Sequence, residues 1–183
     1  MKYCPSCGQP VELRIPTGDN LPRAVCTACG AIHYENPRVV VGCVPEWKGR
    51  ILLCRRAIEP RRGYWTAPAG FLEIGETLQS AAARETREEA QAEVAIGTLL
   101  TVTQLLHAGQ VHVMFRARLL EERFGVGAES LEVGLYTETD IPWDRIAFPS
   151  IHYALRCYLQ DRRDAVEPLH FHQINRPLAA AIS

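Results

Sequence analysis

The sequence predicts an α+β fold preceded by a small zinc-binding module, and three observations lead to this prediction. Segments with strand and helix patterns follow one another without the regular βαβ alternation of a parallel sheet. Two C-x2-C pairs lie near the start of the chain. The 183 residues, 47% of them hydrophobic, suffice for one ordinary domain and a small extra module. We therefore predict a zinc ribbon at residues 1–34, a main domain at 35–163 and a C-terminal arm at 164–183.

The four N-terminal cysteines have the spacing of a structural zinc site. Cys4 and Cys7 form one C-x2-C pair, and Cys26 and Cys29 form the other. Each such turn directs two sulfur atoms towards one point, and four thiolates leave no open coordination position. A Zn²⁺ ion bound here would therefore hold structure and would not activate water. Disulfides and four unrelated thiols are the alternatives, but a segment so poor in large apolar side chains needs a staple to fold.

Apolar runs in the main domain predict two pairs of strands and one further strand. The first pair is joined near Lys48 and Gly49, which predicts a hairpin. The second pair flanks a turn at residues 107–109, and a proline- and glycine-rich loop at residues 59–70 separates the two pairs. The predicted strands are 38–47, 50–57, 97–107, 110–120 and 131–137.

Two segments show helical periodicity. The first covers roughly Thr77 to Gln91, with Thr77 as its cap and Glu76 beside the positive end of the helix. The second, residues 149–163, repeats apolar residues at a spacing of four. The residues after it predict an arm and not a core element, in which His170 and His172 are either incidental or a second metal site.

Charge and composition limit the classes of function. The formal net charge is −1, without a basic or acidic block, which argues against a general nucleic-acid or membrane-surface role. No stretch approaches the ~18 apolar residues of a membrane span, and the first residues lack the apolar core of a secretory signal. We therefore predict a cytoplasmic protein with reduced thiols. Cys43, Cys54 and Cys157 lie in apolar runs, which favours buried, inert thiols over a catalytic cysteine.

Three glutamates converge on one face of the first predicted helix. Glu88 and Glu89 lie three and four positions after Glu85, so the three carboxylates are neighbours on the helix surface. Like charges at these spacings repel by a few tenths of a kcal/mol per pair, and the C-terminal half of a helix disfavours anions. An arrangement that breaks local rules is expected at a functional site, and converging carboxylates suit Mg²⁺ or Mn²⁺. From the spacing alone, a solvated acidic face stays open as an alternative.

The residues around this face resemble the Nudix box, G-x5-E-x7-R-E-U-x-E-E-x-G-U. Six of its seven fixed positions are present within a 23-residue span, and they are Gly70, Glu76, Arg84, Glu85, Glu88 and Glu89. Gln91 replaces the box glycine, and Thr86 and Ala92 stand at the two apolar positions. The glycine normally ends the helix in a left-handed turn. Gln91 therefore either accepts a cost of ~1 kcal/mol there or lets the helix continue.

The resemblance to Nudix hydrolases implies a fold and a reaction. The fold is an α/β/α sandwich around a mixed sheet, and the reaction is Mg²⁺-dependent hydrolysis of a nucleoside diphosphate linked to another group. A divalent ion neutralises the diphosphate and activates the attacking water. The resemblance assigns the metal ligands to the side chains of Glu85, Glu88 and Glu89, with the carbonyl of Gly70 as a fourth.

Further roles follow from the same resemblance. Arg84 would steady the glutamates by pairing with them, and Glu76 would help to hold the loop. The base that accepts the proton of water would be a box glutamate or one of two glutamates on a later loop, Glu129 and Glu132. Arg55 and Arg56 leave the second strand, where they could reach phosphates or lie as ordinary surface residues.

Longer segments resemble one subgroup. NADH pyrophosphatases also carry a zinc ribbon, but the "SQPWPFP" segment of that group is missing. "LLCRRAIEPRRGYWTAPAGFLEIGET" and "HFHQINRP" resemble plant chloroplast-type Nudix hydrolases acting on FAD and ADP-ribose, and their bacterial relatives. This implies release of AMP from FAD or ADP-ribose by a homodimer. An NADH pyrophosphatase and a non-catalytic nucleotide- or RNA-binding module are the alternatives. The intact glutamates and near-zero net charge argue against the latter.

Overall fold

The computed structural model describes residues 1–175, which fall into two compact units. The first unit is Met1–Asn36 and the second begins at Pro37, two residues after the predicted boundary. None of the helices in the described part of the chain is long and apolar enough to cross a membrane.

The first unit is a small three-stranded antiparallel sheet. Its strands are β1 (Val11–Arg14), β2 (Arg23–Cys26) and β3 (Ile32–His33), in the order β1-β2-β3. Its buried hydrophobic residues are only Cys4, Val25 and Cys26. So small a core cannot offset the entropy of ordering the chain without a further cross-link.

The second unit is built on a mixed sheet. Its strands are β4 (Arg38–Trp47), β5 (Arg50–Arg56), β6 (Trp65–Thr66), β7 (Ala69–Phe71), β8 (Val94–Leu105), β9 (Gln110–Leu119), β10 (Ser130–Tyr136) and β11 (His170–Ile174). The long strands are ordered β10-β5-β4-β9-β8-β11, with β6 on β5 and β7 on β4. The β4–β9 and β8–β11 pairs are parallel and the other pairs are antiparallel.

Two helices cover opposite faces of this sheet, as the predicted α/β/α sandwich requires. They are α1 (Leu78–Ala90) and α2 (Pro149–Asp164). Successive side chains of a strand point to opposite faces. On β4, Val41 and Cys43 pack with α1, whereas Val44 packs with α2. The predicted fold class is therefore confirmed.

The ends of α1 follow from local side-chain chemistry. Thr77 is the N-cap, as predicted, and it exchanges hydrogen bonds with Ser80 in a capping box. Gln91 is the C-cap in the left-handed conformation, with φ 48° and ψ 36°. The helix therefore ends at the position of the box glycine. The left-handed conformation costs Gln91 conformational free energy that a glycine would not lose.

The β4–β5 hairpin opens a gap in the sheet. Its turn residues Lys48 and Gly49 both have positive φ, 47° and 82°, as a two-residue turn of this kind requires. Next to the turn β4 and β5 pair directly, but further along β7 pairs with β4 and β6 with β5. The loop predicted at residues 59–70 therefore contains two short strands, and the two long strands separate there.

The C-terminal segment differs from the predicted arm. Helix α2 continues to Asp164, and β11 joins the sheet beside β8. A buried ion pair between Arg116 and Asp161 anchors this region: Arg116 also donates to the Pro168 carbonyl at 2.9 Å, and Asp161 contacts His170 Nε2 at 3.0 Å. Nothing in the arm's polar sequence signals these long-range contacts. Residues 176–183 of the predicted arm lie outside the described residues.

Deleting residues from Asp164 onward should destabilise the second unit. The deletion removes β11 and leaves Arg116 without the Pro168 carbonyl and Asp161 without His170. Arg116 and Asp161 keep each other, but each loses one hydrogen bond, and a hydrogen bond to a charged group contributes about 1.5–3 kcal/mol. Urea unfolding of the truncated and full-length chains measures the difference. An unchanged midpoint would mean that β11 contributes nothing to stability.

Candidate active site

A cavity of about 910 Å³ opens where β4 and β5 separate. One wall is acidic and comes from α1, with Glu85, Glu88 and Glu89. Arg56 and the residues that lead into α2, among them Phe148, also line the cavity, and the charge of Arg56 acts on Glu89. A volume near the upper end of the ~300–1,000 Å³ found for small-molecule pockets suits a ligand larger than a mononucleotide.

The three box glutamates differ in their exposure. Glu85 and Glu89 are buried, with 8% and 5% of their surface exposed, whereas the side chain of Glu88 is 57% exposed. Burial raises the pKa of Glu89 to about 8, and the neighbouring charge of Glu85 adds to this effect. Burial also raises the pKa of Glu85, against the influence of Arg84. Two desolvated carboxylates side by side form a site that gains from a cation.

Arg84 holds the acidic wall and the loop before α1 together. Its Nε and Nη2 atoms donate to both carboxylate oxygens of Glu76, at 3.1 and 2.7 Å. Its Nη1 atom donates to Glu85 at 2.7 Å and to Glu88 at 3.1 Å. Nη2 also donates to the carbonyl of Phe71 at 3.1 Å. The structure thus brings Glu76 and Arg84 together with the glutamates, and the bidentate pair with Arg84 lowers the pKa of Glu76.

Gly70 lies directly against Glu85. A Cβ atom at position 70 would overlap with the carboxylate of Glu85. Gly70 pairs with Val41 in the β4–β7 ladder, so its backbone cannot shift without disturbing the sheet. The absence of a side chain is therefore required for the backbone and the carboxylate to approach each other.

Replacing Gly70 with alanine should displace Glu85 and lower turnover roughly 10- to 100-fold, because a misplaced catalytic group costs about this factor. Steady-state kinetics, with thermal unfolding in parallel, tests this. The double variant Gly70→Ala/Glu85→Ala should regain the lost stability and stay inactive, because the overlap is gone and the carboxylate is missing. A fully active Gly70→Ala protein would contradict this role of the close approach.

A second loop is packed on the C-terminal end of α1. The amide of Gly127 donates to the carbonyl of Glu89 at 3.1 Å, and a Cβ atom at Gly127 would overlap with the carbonyl of Glu88. The side chain of Gln91 donates to the carbonyl of Val126 at 2.8 Å. The side chain of Gln91 therefore forms a hydrogen bond to this loop that a glycine could not form. The next residues of this loop, Ala128 and Glu129, line the cavity.

The structure separates the remaining candidate residues into two groups. Arg56 and Glu129 line the cavity. Arg55 and Glu132 do not, and they form an exposed ion pair with each other at 3.5 Å. Arg55 and Arg56 are neighbours on β5, so their side chains point to opposite faces of the sheet. Glu132 is the register partner of Arg55 in the β5–β10 ladder and therefore lies on the same face as Arg55.

Several cavity residues were missed by the sequence analysis. Phe71 and Phe148 lie under the guanidinium groups of Arg38 and Arg56, each with the charge 5.0 Å from the ring centre. His112 and other residues from the start of β9 also reach the cavity. No local pattern marks these residues, because the gap between β4 and β5 brings them together.

The ligand atoms of the four N-terminal cysteines are already close enough to bind one metal ion, whereas those of the three glutamates are not. Among the described residues, the ligand atoms of Cys4, Cys7, Cys26 and Cys29 all lie within 4.8 Å of one another. Neighbouring Sγ atoms are 3.4, 3.6 and 3.8 Å apart. Tetrahedral Zn²⁺ with bonds of ~2.3 Å requires sulfur atoms ~3.8 Å apart. The four cysteines therefore fit a structural zinc ion.

The carboxylate oxygens of the three glutamates are not grouped around one point, because Arg84 forms hydrogen bonds with Glu85 and Glu88. Their chemistry nevertheless fits a hard cation, since they offer carboxylate oxygens and two of them are buried. The other three cysteines of the chain are buried, as predicted. Burial raises the pKa of Cys43 to about 12, which suits an inert thiol.

Without added divalent cations, the contribution of Glu89 to stability should fall as the pH rises from about 4.5 to about 8. Within this window Glu89 keeps its proton in the folded chain but loses it in the unfolded chain, because its pKa is raised from 4.5 to about 8. The unfolded state then binds fewer protons, so this contribution to the free energy of unfolding decreases, by up to about 5 kcal/mol.

Urea unfolding at several pH values measures this slope. Relative to the wild type, Glu89→Gln should gain free energy of unfolding as the pH rises through this window, whereas Glu88→Gln, which alters an exposed carboxylate, should follow the wild type. Parallel curves for the wild type and Glu89→Gln would show that Glu89 ionises normally.

Comparison with known proteins supports both units. Residues 2–35 match the family described as "Nudix N-terminal", and residues 36–123 match the family described as "NUDIX domain". A crystal structure of a NUDIX hydrolase from Nitrosomonas europaea is 53% identical to this chain, with a TM-score of 0.93. The match covers 96% of this chain and all of that one.

Curated relatives match over shorter stretches. The NAD-capped RNA hydrolase NudC of Vibrio vulnificus is 35% identical over 96 residues, which is 51% of this chain and 34% of the relative. An ADP-ribose pyrophosphatase of Methanocaldococcus jannaschii is 41% identical over 56 residues, or 31% of this chain and 33% of the relative. The chain thus spans about a third of the length of these curated relatives.

Proposed function

Because the chain belongs to the Nudix hydrolase family, we propose that it hydrolyses the diphosphate of FAD or ADP-ribose and releases AMP. The observation that carries this proposal is a cavity of about 910 Å³ lined by Glu85, Glu88 and Glu89 and also by Arg56. A diphosphate with bound divalent cations needs carboxylates on one side and a cationic donor on the other.

The acidic wall would hold Mg²⁺ or Mn²⁺ through Glu85, Glu88 and Glu89, with the Gly70 carbonyl beside them. Such an ion neutralises the diphosphate and lowers the pKa of attacking water. Arg84 fixes the positions of Glu85 and Glu88 from the side of the loop. Its bidentate bond to Glu76 ties the same guanidinium to the backbone that contains Gly70.

The contacts of Arg56 suit its guanidinium group to bind a phosphate of the substrate. Its Nε atom donates to the carbonyl of Pro60 at 2.9 Å, and its guanidinium lies over the ring of Phe148. Among the described residues, its terminal nitrogens have no acceptor. A cation that is held at one end and free at the other loses little entropy on binding an anion. Arg55, which pairs with Glu132 outside the cavity, has no such role in this proposal.

Glu129 is the favoured general base. It lines the cavity, and its charge adds to the raised pKa of Glu85 and of Glu89, so it lies close to both. Its side chain is free of the ion pair that engages Glu132. A carboxylate facing the diphosphate can accept the proton of the attacking water.

A second candidate function is hydrolysis of NADH or of NAD-capped RNA. Identity to the NudC relatives over about half of this chain favours it. The missing "SQPWPFP" segment argues against it. A non-catalytic nucleotide-binding module would leave the intact glutamates and their support by Arg84 without a purpose.

A substrate panel separates these functions. FAD, ADP-ribose, NADH and NAD-capped RNA are incubated with the full-length protein and Mg²⁺, and kcat/KM is measured for each. We expect the value for FAD or ADP-ribose to exceed those for NADH and NAD-capped RNA. NADH or capped RNA as the best substrate would support the second candidate, and no turnover of any would support the binding module.

The predicted homodimer and cytoplasmic location remain predictions. Related enzymes are commonly dimers, and light scattering of the full-length protein measures its mass in solution. A monomer at micromolar concentration would contradict the first prediction.

A further inference from the structure

A chain of three hydrogen-bonded polar side chains ends in the cavity. Ser150 is the second residue of α2 and is fully buried, and His112 on β9 is 6% exposed. The Ser150 hydroxyl lies 2.8 Å from His112 Nδ1, and His112 Nε2 lies 3.0 Å from Gln110 Oε1. Gln110 and His112 both line the cavity.

The direction of these hydrogen bonds follows from the orientation of the Gln110 amide, whose oxygen faces His112 Nε2. A carbonyl oxygen such as Gln110 Oε1 cannot donate, so His112 Nε2 carries the proton and donates to it. Burial lowers the pKa of His112 to about 4, so the ring is neutral and its Nδ1 accepts from the Ser150 hydroxyl. The amide of Gln110 is thereby held with its oxygen towards His112. Among the described residues, its amide nitrogen has no acceptor.

The register of the sheet places Gln110 away from the diphosphate. Val41 is the partner of both Gly70 on β7 and Val113 on β9. Gln110 is three residues before Val113, which corresponds to ~10 Å along the strand. A diphosphate held at Glu85 beside Gly70 therefore does not reach Gln110. Gln110 is the register partner of Leu105 on β8 and of Arg38 on β4, and the lining of the cavity includes the apolar residues Val40, Leu105, Ala108 and Ile151.

We propose that Gln110 determines specificity by donating hydrogen bonds from its amide nitrogen to an acceptor on a planar nucleobase or flavin ring. Ser150 and His112 are positioning residues that keep the amide in this orientation. A fixed donor in a cavity that also has apolar lining admits a flat ring and selects a carbonyl oxygen or ring nitrogen on its edge. This inference rests on the proposed function only in its choice of substrates.

The variant Gln110→Met removes the donor and keeps the length of the side chain. Its KM should rise roughly 10-fold with little change in kcat, because a hydrogen bond formed equally in the ground and transition states is lost. Gln104→Met is the matched control, since Gln104 is an exposed residue of β8 that does not line the cavity. Its KM should equal that of the wild type.

Two substrates identify the ring that Gln110 contacts. ADP-ribose carries adenine alone, whereas FAD carries adenine and a flavin. A higher KM for FAD only assigns Gln110 to the flavin, and a higher KM for both assigns it to adenine. An unchanged KM for both, or a loss in kcat alone, would overturn the proposal.

The positioning role has its own readout. Ser150→Ala should raise KM about 3-fold at constant kcat, because the His112 tautomer is no longer fixed, and Ser150→Thr should restore it. An unchanged KM in Ser150→Ala would overturn the positioning role. If the wild type hydrolyses neither substrate, the proposed function fails. Calorimetry with AMP and FMN then tests Gln110 alone: weaker binding of either ligand to Gln110→Met supports the proposal, and equal binding of both rejects it.

Discussion

Glutamine in place of Glu89 should lower kcat/KM for dinucleotide hydrolysis at least ~100-fold and leave the fold intact. The carboxylate is 5% exposed and lies beside Glu85, so it contributes charge that no solvent can replace. Glutamine keeps the shape, and its carbonyl oxygen can still accept from the Ala69 amide, which lies 3.3 Å from the carboxylate. Stability at neutral pH should hold or rise, because glutamine, unlike Glu89 with its raised pKa, does not have to take up a proton on folding.

Glu132→Gln is the matched control for this loss. Glu132 is a glutamate of the same unit, but it is exposed, pairs with Arg55 and does not line the cavity. Its kcat/KM should stay within about threefold of wild type, since surface ion pairs contribute little. Equal activity of Glu89→Gln and wild type would remove Glu89 from the site. Equal losses in both variants would mean that the effect is not specific to a carboxylate of the cavity.

The double substitution Cys4→Ser/Cys7→Ser should abolish zinc binding and unfold the first unit. The purified wild-type chain should contain about one zinc ion, because the four sulfur atoms have the spacing of a thiolate site. Zinc contributes ~10–16 kcal/mol to small modules of this kind, far more than three buried residues can replace.

Metal analysis and limited proteolysis test this prediction together. The variant should lack zinc and be cleaved within Met1–Asn36, whereas the second unit should resist cleavage. Cys157→Ser, which removes a buried thiol of α2, should keep its zinc. A zinc-free wild type that resists proteolysis would contradict the structural role. Hydrolysis by the wild type should still require added Mg²⁺, because a four-thiolate site has no open position.

The sequence predicted what depends on neighbours along the chain. Thr77 caps α1 through residues three positions away, and Glu85, Glu88 and Glu89 share a face because of helical geometry. The Lys48–Gly49 turn follows from the backbone freedom that a two-residue hairpin needs. Each of these predictions rests on spacings of five residues or fewer.

What the sequence did not reveal depends on distant parts of the chain. β11 was predicted as an arm because its polar residues gain partners only from Asp161 and β8. His112 and Gln110 lie on an ordinary strand pattern, and only the packing of α2 brings Ser150 to them. Arg55 and Arg56 were equal candidates until the alternation of β5 placed them on different sides.

Hydrolysis of FAD and ADP-ribose in ¹⁸O-labelled water with Mg²⁺ tests the central claim most directly. Mass spectrometry of the products should find AMP, with one ¹⁸O atom in one of the two product phosphates, because water is the attacking group at the diphosphate. The wild type should form labelled product, and Glu89→Gln should form less than about a hundredth as much in the same time. Absence of labelled product in the wild type, or equal labelling by Glu89→Gln, would contradict the account.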